Sequence, residues 1–275
     1  MKINPFIYKL INFIRNISWL KSIHKIRHHV KVNNMAKHNV DGKYLIVLPH
    51  ADDEYIGCDQ LMKSNAECLI VNMDMAGGDT SEMHTLRYNE LKEYVHSLNR
   101  RLVTIKDNKA YALQDIISKY QFDIICVPSF FDWHPEHFKV MGYLRDALIM
   151  LGTKAKDIRI AMYQVSVPLM PRYINFALPM TKEAYHNKWG VFSKYYKTQS
   201  YIPIKRFGAN ERINGKLLGS YAAEGYIIMT VDDWECSLDN VQKLDMESIL
   251  RNNINDLAAI REHLVRFYTA ASIGD

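Results

Sequence analysis

Residues 44–57 read YLIVLPHADDEYIG. The first five residues are a short, continuous apolar run rich in branched side chains, the pattern of a strand buried on both faces. Directly behind it stand His50, Asp52 and Asp53, three ionisable groups in four residues. Carboxylates packed that closely repel one another, so solvent, a basic partner or a metal ion must compensate. A buried strand that runs straight into charge calls for a cation at its carboxyl end.

Outward from this stretch, apolar runs alternate with helical ones. Strand candidates are YLIVLP (44–49), ECLIVNM (67–73), RLVTI (101–105), FDIICVP (122–128) and IRIAMYQV (158–165). Helices are expected from near Gly57, Ser81, Ala112 and His134, and SEMHTLRYNELKEYVHSL (81–98) is strongly amphipathic. Such alternation predicts right-handed β-α-β units, hence an α/β, Rossmann-like, mostly parallel sheet with helices on both faces. Beyond Val165 the pattern weakens. VPLMPRYINFALPM (167–180) reads as irregular, 181–196 as helix, GYIIMTV (225–231) as strand and 246–268 as a final helix. With 275 residues the chain is long enough to bury a sizeable core.

The four cysteines, Cys58, Cys68, Cys126 and Cys236, contain no C-x-x-C pair, and Cys68 and Cys126 fall in candidate core strands. This favours reduced, buried thiols in a cytoplasmic protein over a disulfide framework or a cysteine zinc site. The formal net charge of +5 is unevenly spread: residues 1–40 hold eight Lys/Arg and no acidic residue. The remainder carries 27 basic against 30 acidic residues, a formal −3, which is not the body of a nucleic-acid-binding protein.

The first 40 residues also place apolar side chains every three or four positions from Ile3 to Val30, with Lys9, Lys21, Lys25 and Arg27 between them. They read as a basic amphipathic helical arm, separate from a body at 41–275. Arg15 and Lys21 interrupt the apolar run too early for a membrane span, and no signal-peptide cleavage site follows. Packing on the body or on a second subunit is the simpler expectation. Peripheral contact with an anionic inner membrane surface is the alternative.

A second polar cluster follows the fourth strand candidate. FDIICVPSFFDWHPEHFKVMGYL (122–144) brings His134, Glu136 and His137 to the start of a helix. In a sheet of order 3-2-1-4-5, strands one and four are neighbours, and their carboxyl ends form the switch point where open α/β sheets bind ligands. His50, Asp53 and one or both of His134 and His137 would then converge on one ion. Two imidazoles and a carboxylate suit zinc with an open coordination position, and equally suit non-haem iron(II). Asp52, whose side chain points away from that of Asp53, is placed to take a proton from a bound water.

These residues carry a family resemblance. PHADDEYIGC (49–58) resembles the PHPDDE motif, and HPEH (134–137) the HPDH motif, of the PIG-L/LmbE-like family of zinc-dependent N-acetyl-sugar deacetylases. Fainter echoes are DMAGGD (74–79), Arg87 with Glu90, KYYKTQ (194–199) and YAAEGY (221–226), so the likeness spans about residues 43–228. The resemblance implies His50, Asp53 and His137 as zinc ligands and Asp52 as general base, with His134 stabilising the oxyanion. It also implies Arg87 and Asp107 as substrate contacts, and an N-acetylglucosamine-type glycoconjugate or precursor as substrate. Ala51 stands where the family has Pro, and Glu136 where it has the Asp that orients the imidazole of His134. Read plainly, Arg87 and Glu90 are a surface ion pair three residues apart on a helix, and Trp133, Tyr163, Tyr195 and Tyr196 are core or rim before they are sugar platforms. A metal-dependent amidase acting on a non-sugar N-acyl group and a catalytically silent metal-containing binding protein are the competing readings.

Overall fold

The computed structural model describes residues 40–271 apart from 77, 200, 201, 254 and 255, together with residues 13, 14, 16, 17 and 19–21 of the N-terminal arm. Four β-α units and a fifth strand open the body. They are β1 (Lys43–Leu48), α1 (Asp53–Lys63), β2 (Glu67–Asn72), α2 (Ser81–Ser97), β3 (Arg101–Thr104), α3 (Lys109–Tyr120), β4 (Ile124–Pro128), α4 (Pro135–Leu151) and β5 (Arg159–Tyr163). There follow β6 (Phe176–Met180), α5 (Lys182–Tyr195), α6 (Ile204–Leu217), β7 (Ala222–Thr230), α7 (Val231–Gln242), α8 (Met246–Asn252) and α9 (Leu257–Ala270). The sheet order is β3-β2-β1-β4-β5-β7-β6. The first five strands are parallel in the expected 3-2-1-4-5 arrangement, and β7 runs antiparallel to both β5 and β6.

Both faces of the sheet are covered, and β1 shows how. Its alternate side chains enter two different cores: Leu45 and Val47 join Leu113, Val140, Leu144 and Trp234 on one side. Tyr44, Ile46 and Leu48 join Tyr55, Leu61, Leu91 and Phe192 on the other. The continuous apolar run is therefore the signature of a strand with no solvent face. Helix α1 thus packs on one face and α4 on the other, so the two connections leaving the neighbouring strands β1 and β4 diverge.

Several local expectations need correction. Helix α1 begins at Asp53, not near Gly57, because its first turn is made of the acidic residues themselves. The stretch taken as irregular contains a 3-10 turn, Pro171–Tyr173, and the edge strand β6. Pro179 hid that strand, yet an edge tolerates a residue with no N–H to donate. The final helix is two, α8 and α9. Cys58, Cys68 and Cys126 are buried free thiols, and Cys236 is exposed.

Most of the amphipathic arm lies outside the described residues. Those that are described are helical, and Trp19 is buried. The Arg206 guanidinium lies 4.8 Å from the centre of the Trp19 ring, and Arg206 Nε donates to Asn16 Oδ1 at 2.9 Å. No helix among the described residues is long and apolar enough to cross a membrane.

Gly57 sets how closely α1 approaches β5. A Cβ there would stand 2.3 Å from Tyr163 Cδ2 and 3.0 Å from the Gln164 carbonyl oxygen. Overpacking of this kind costs about 1–3 kcal/mol, so Gly57→Ala is expected to lower stability by that amount in urea unfolding; an unchanged midpoint would refute the tight crossing.

Candidate metal centre

The centre is assembled from the two connections that leave β1 and β4. After Leu48 the chain turns through Pro49 and enters α1 at Asp53, with Asp52 in the left-handed region at φ 107°. A non-glycine residue held there is strained by roughly 1–3 kcal/mol and persists only where its surroundings over-determine it. They do so here. The Asp52 N–H donates to Glu54 Oε2 at 3.1 Å, Gln199 Nε2 donates to the Ala51 carbonyl, and the Tyr196 hydroxyl donates to Glu54 Oε1. Helix α4 starts with Pro135 at its first turn and His134 as its cap, the His134 Nδ1 accepting the Glu136 N–H at 3.3 Å.

The three imidazoles meet. Ring centres lie 4.6 Å apart for His50 and His134, 5.4 Å for His50 and His137, and 5.0 Å for His134 and His137. One ring nitrogen from each comes within 4.8 Å of the others. Asp53 completes the group: its Oδ2 accepts the His50 N–H at 2.9 Å and stands 3.4 Å from His50 Nδ1 and 3.7 Å from His137 Nε2. Donor atoms about 2 Å from a shared zinc are separated by about 3–4 Å, so these distances fit one ion. The donor set of imidazole nitrogen and carboxylate oxygen suits zinc or another borderline divalent metal.

A surrounding shell orients these groups. Asp132, buried, places Oδ2 3.2 Å from His137 Nδ1 and accepts the N–H groups of Trp133, His134 and Ser166. The contact lacks hydrogen-bond geometry, which leaves His137 Nδ1 a buried polar atom without a hydrogen-bond partner. Glu136 differs from expectation. Its carboxylate lies 2.6 Å from His50 Nε2, on the loop that follows β1.

Charge explains the protonation pattern. Burial disfavours the imidazolium of His50, but the carboxylates of Asp53 and Glu136 outweigh it and hold its pKa up at about 10. His134 goes the other way, down to about 4, through burial and the neighbouring His137 and His50. A neutral His134 whose Nδ1 accepts a hydrogen bond carries its proton on Nε2. Asp52 is raised well above the ordinary carboxylate range by burial, then by Asp53 and Glu54. Burial also pushes Glu54 up to about 8.

These groups form one end of a cavity of about 330 Å³, within the range of small-molecule sites. His50, Asp52, Asp53, His134 and His137 line it together with the apolar side chains of Trp19, Ile56, Trp133 and Phe207. Arg87 lines it too and pairs with Asp79 at 2.8 Å. The expected Arg87–Glu90 pairing gives way to two separate anchors, since Glu90 accepts from the N–H and hydroxyl of Thr198. Asp107 is exposed and does not line the cavity. Of the four aromatic candidates Trp133 alone lines it; Tyr163 and Tyr196 are buried beneath, and Tyr195 packs on Tyr94. Asp132 and Trp19 are absent from the sequence candidates, while Glu54 and Gln199 stand in the quoted motifs PHADDEYIGC and KYYKTQ without a role assigned to them. Asp132 stands only two residues before His134, and that proximity was the signal available.

Fold and site together define a doubly wound α/β protein with a histidine–carboxylate centre at its switch point. No family model matches the chain, and no curated protein matches it. Solved structures share the fold. The conserved protein TT1542 from Thermus thermophilus superimposes with a TM-score of 0.54 at 19% identity, covering 67% of this chain and 93% of that one. A deacetylase from the teicoplanin biosynthesis pathway, solved as a bog complex, gives a TM-score of 0.50 at 15% identity, covering 70% of this chain and 99% of that one. At such identities the likeness establishes the shared architecture.

Two outcomes follow from the geometry. A metal ligand must give up its proton, and His50 holds one up to a pH of about 10. The apparent zinc affinity is therefore expected to rise between about pH 6 and 8, with about one proton released per ion in calorimetry across buffers; a pH-independent affinity would contradict this. Asp132→Asn, which weakens the support of His137, is expected to lower zinc affinity by about 10–100-fold, measured by competition with a fluorescent chelator.

Proposed function

We propose that the protein is a zinc-dependent hydrolase that removes the acetyl group from an N-acetylated amino sugar, releasing acetate and a free amine. The observation that carries this reading is the convergence of Asp52 with three histidines and Asp53 on one wall of a single cavity. The PIG-L/LmbE-like motifs fall on those residues, and one of the proteins sharing the fold is named as a deacetylase.

In this reading His50, Asp53 and His137 hold the metal, while His134 stays free for the substrate. Zinc bound there would polarise the amide carbonyl and acidify a water. The chain's own groups perform the proton transfers. Asp52 takes the proton of the attacking water as its oxygen bonds to the carbonyl carbon. His134, its Nδ1 occupied by the Glu136 N–H, presents Nε2–H to the oxygen that gains negative charge. Asp52 then passes its proton to the nitrogen, the C–N bond breaks, and acetate and amine leave. The raised pKa of Asp52 suits a group that must both accept and return a proton. Arg87, held by Asp79 at the cavity wall, is suited to a hydroxyl or anionic group of the substrate.

Acetate release should be measured over UDP-linked, lipid-linked and free N-acetylhexosamines with and without chelator. The reading expects chelator-sensitive release from at least one class. Asp52→Asn should lose about a hundredfold or more in turnover while keeping its zinc. His134→Ala should lose about a hundredfold to a thousandfold, again with zinc retained, and His137→Ala should lose metal and turnover together. Near-wild-type turnover of Asp52→Asn would remove the proton-transfer role, and loss of zinc from His134→Ala would make His134 a ligand.

A further inference from the structure

We propose that the outward face formed by the helical residues Phe13, Ile14, Ile17 and Lys21 docks on an anionic lipid surface and sets the mouth of the cavity against it. The two sides of this helix differ. Trp19, nearly fully buried, faces the body and forms part of the cavity wall, steadied by the Arg206 guanidinium above its ring. Asn16, on the same side, accepts from Arg206 Nε. The opposite side carries Phe13, Ile14 and Ile17, exposed to 62%, 57% and 36%, beside the exposed Lys21.

Three large apolar side chains exposed within five residues are unlike the rest of the described surface. The other exposed large apolar residues, Leu86, Tyr111, Ile149, Met150 and Val265, are spread over α2, α3, α4 and α9. Single exposed apolar residues are ordinary, whereas a cluster marks an interaction surface. Charge selects the occupant. Eight Lys/Arg and no acidic residue occur in residues 1–40, while the remaining chain is formally negative. An apolar stripe within a purely basic segment complements anionic headgroups above acyl chains; the same face of a second copy would match the apolar stripe but set two basic segments against each other.

Because Trp19 belongs to both the docking helix and the cavity wall, the docked protein presents its cavity to the membrane. Its substrate would then be an amphiphile whose N-acetylated headgroup is drawn from the surface, a consequence that rests on the hydrolase reading, whereas docking does not.

The test is co-sedimentation of the full chain with vesicles of phosphatidylcholine alone and of phosphatidylcholine mixed with phosphatidylglycerol. Binding to the mixed vesicles only, weakened by salt, is expected. The triple variant Phe13→Ser, Ile14→Ser, Ile17→Ser should bind at least tenfold more weakly while keeping the wild-type melting temperature and zinc content, because none of the three lines the cavity. The proposal is overturned if the wild type stays in the supernatant, if it binds both vesicles equally, or if the variant binds as well as the wild type. It is equally overturned if light scattering shows that the substitutions break a dimer while vesicle binding persists. None of these readouts needs catalysis, so a failed deacetylase assay and a failed docking assay are distinct results.

Discussion

Two parallel strands that pair side by side must also end side by side, and everything at this site depends on that constraint. Ile46 pairs with Cys126 in the middle of the sheet, so the residues following β1 and β4 emerge at one edge. The helices that follow diverge, α1 into the core around Tyr55 and α4 into the core around Leu144. The crevice between them is where open α/β sheets bind ligands. His50 and His137 are far apart in sequence, and the hydrogen-bond ladder of the sheet is what places their rings 5.4 Å apart.

Holding so many carboxylates in one buried place needs several devices. Asp53 and Glu54 lie in the first turn of α1, where the positive end of the helix dipole favours them. Tyr196 and the backbone N–H of Asp52 satisfy Glu54. The imidazoles of His50, at 3.4 Å, and His137, at 3.7 Å, answer Asp53. A comparable buried charge group braces α1 from behind: Lys188 Nζ donates to Glu211 at 2.5 Å, to Glu224 at 2.6 Å and to the Ile56 carbonyl. Such buried groups are costly to break, because the partners left behind remain buried and charged. The strained Asp52 backbone is thus held through Ala51 and Glu54 on either side of it, and the first turn of α1 is held in turn through Ile56.

The parallel half of the fold was legible because its strands are buried on both faces and read as uninterrupted apolar runs. The antiparallel edge was not: β6 contains Pro179, and β7 pairs with strands the local pattern cannot name. The candidate site was legible where its side chains stand in short motifs, as do His50, Asp52, Asp53, His134 and His137, which the fold brings to one cavity. It was illegible where a distant segment closes on it. Trp19 reaches the cavity through tertiary packing that no spacing announces, and Tyr196 and Gln199, though within KYYKTQ, disclose their contacts with Glu54 and Ala51 only in the fold. Glu136 shows the limit of motif reasoning, since its carboxylate lies against His50 on the other loop, a partner that the HPEH motif alone does not name. Asp107, implied only by the family resemblance, is not among the residues that line the cavity.

The central claim is that the paired loops form one metal centre at the switch point. It is tested most directly by crystals of the full chain soaked in zinc, with anomalous scattering recorded on both sides of the zinc absorption edge. The account predicts one strong anomalous peak per chain within about 2.0–2.2 Å of a ring nitrogen of His50 and of His137 and of a carboxylate oxygen of Asp53. A crystal with no anomalous peak in that crevice, or with zinc bound only at surface histidines, would contradict it.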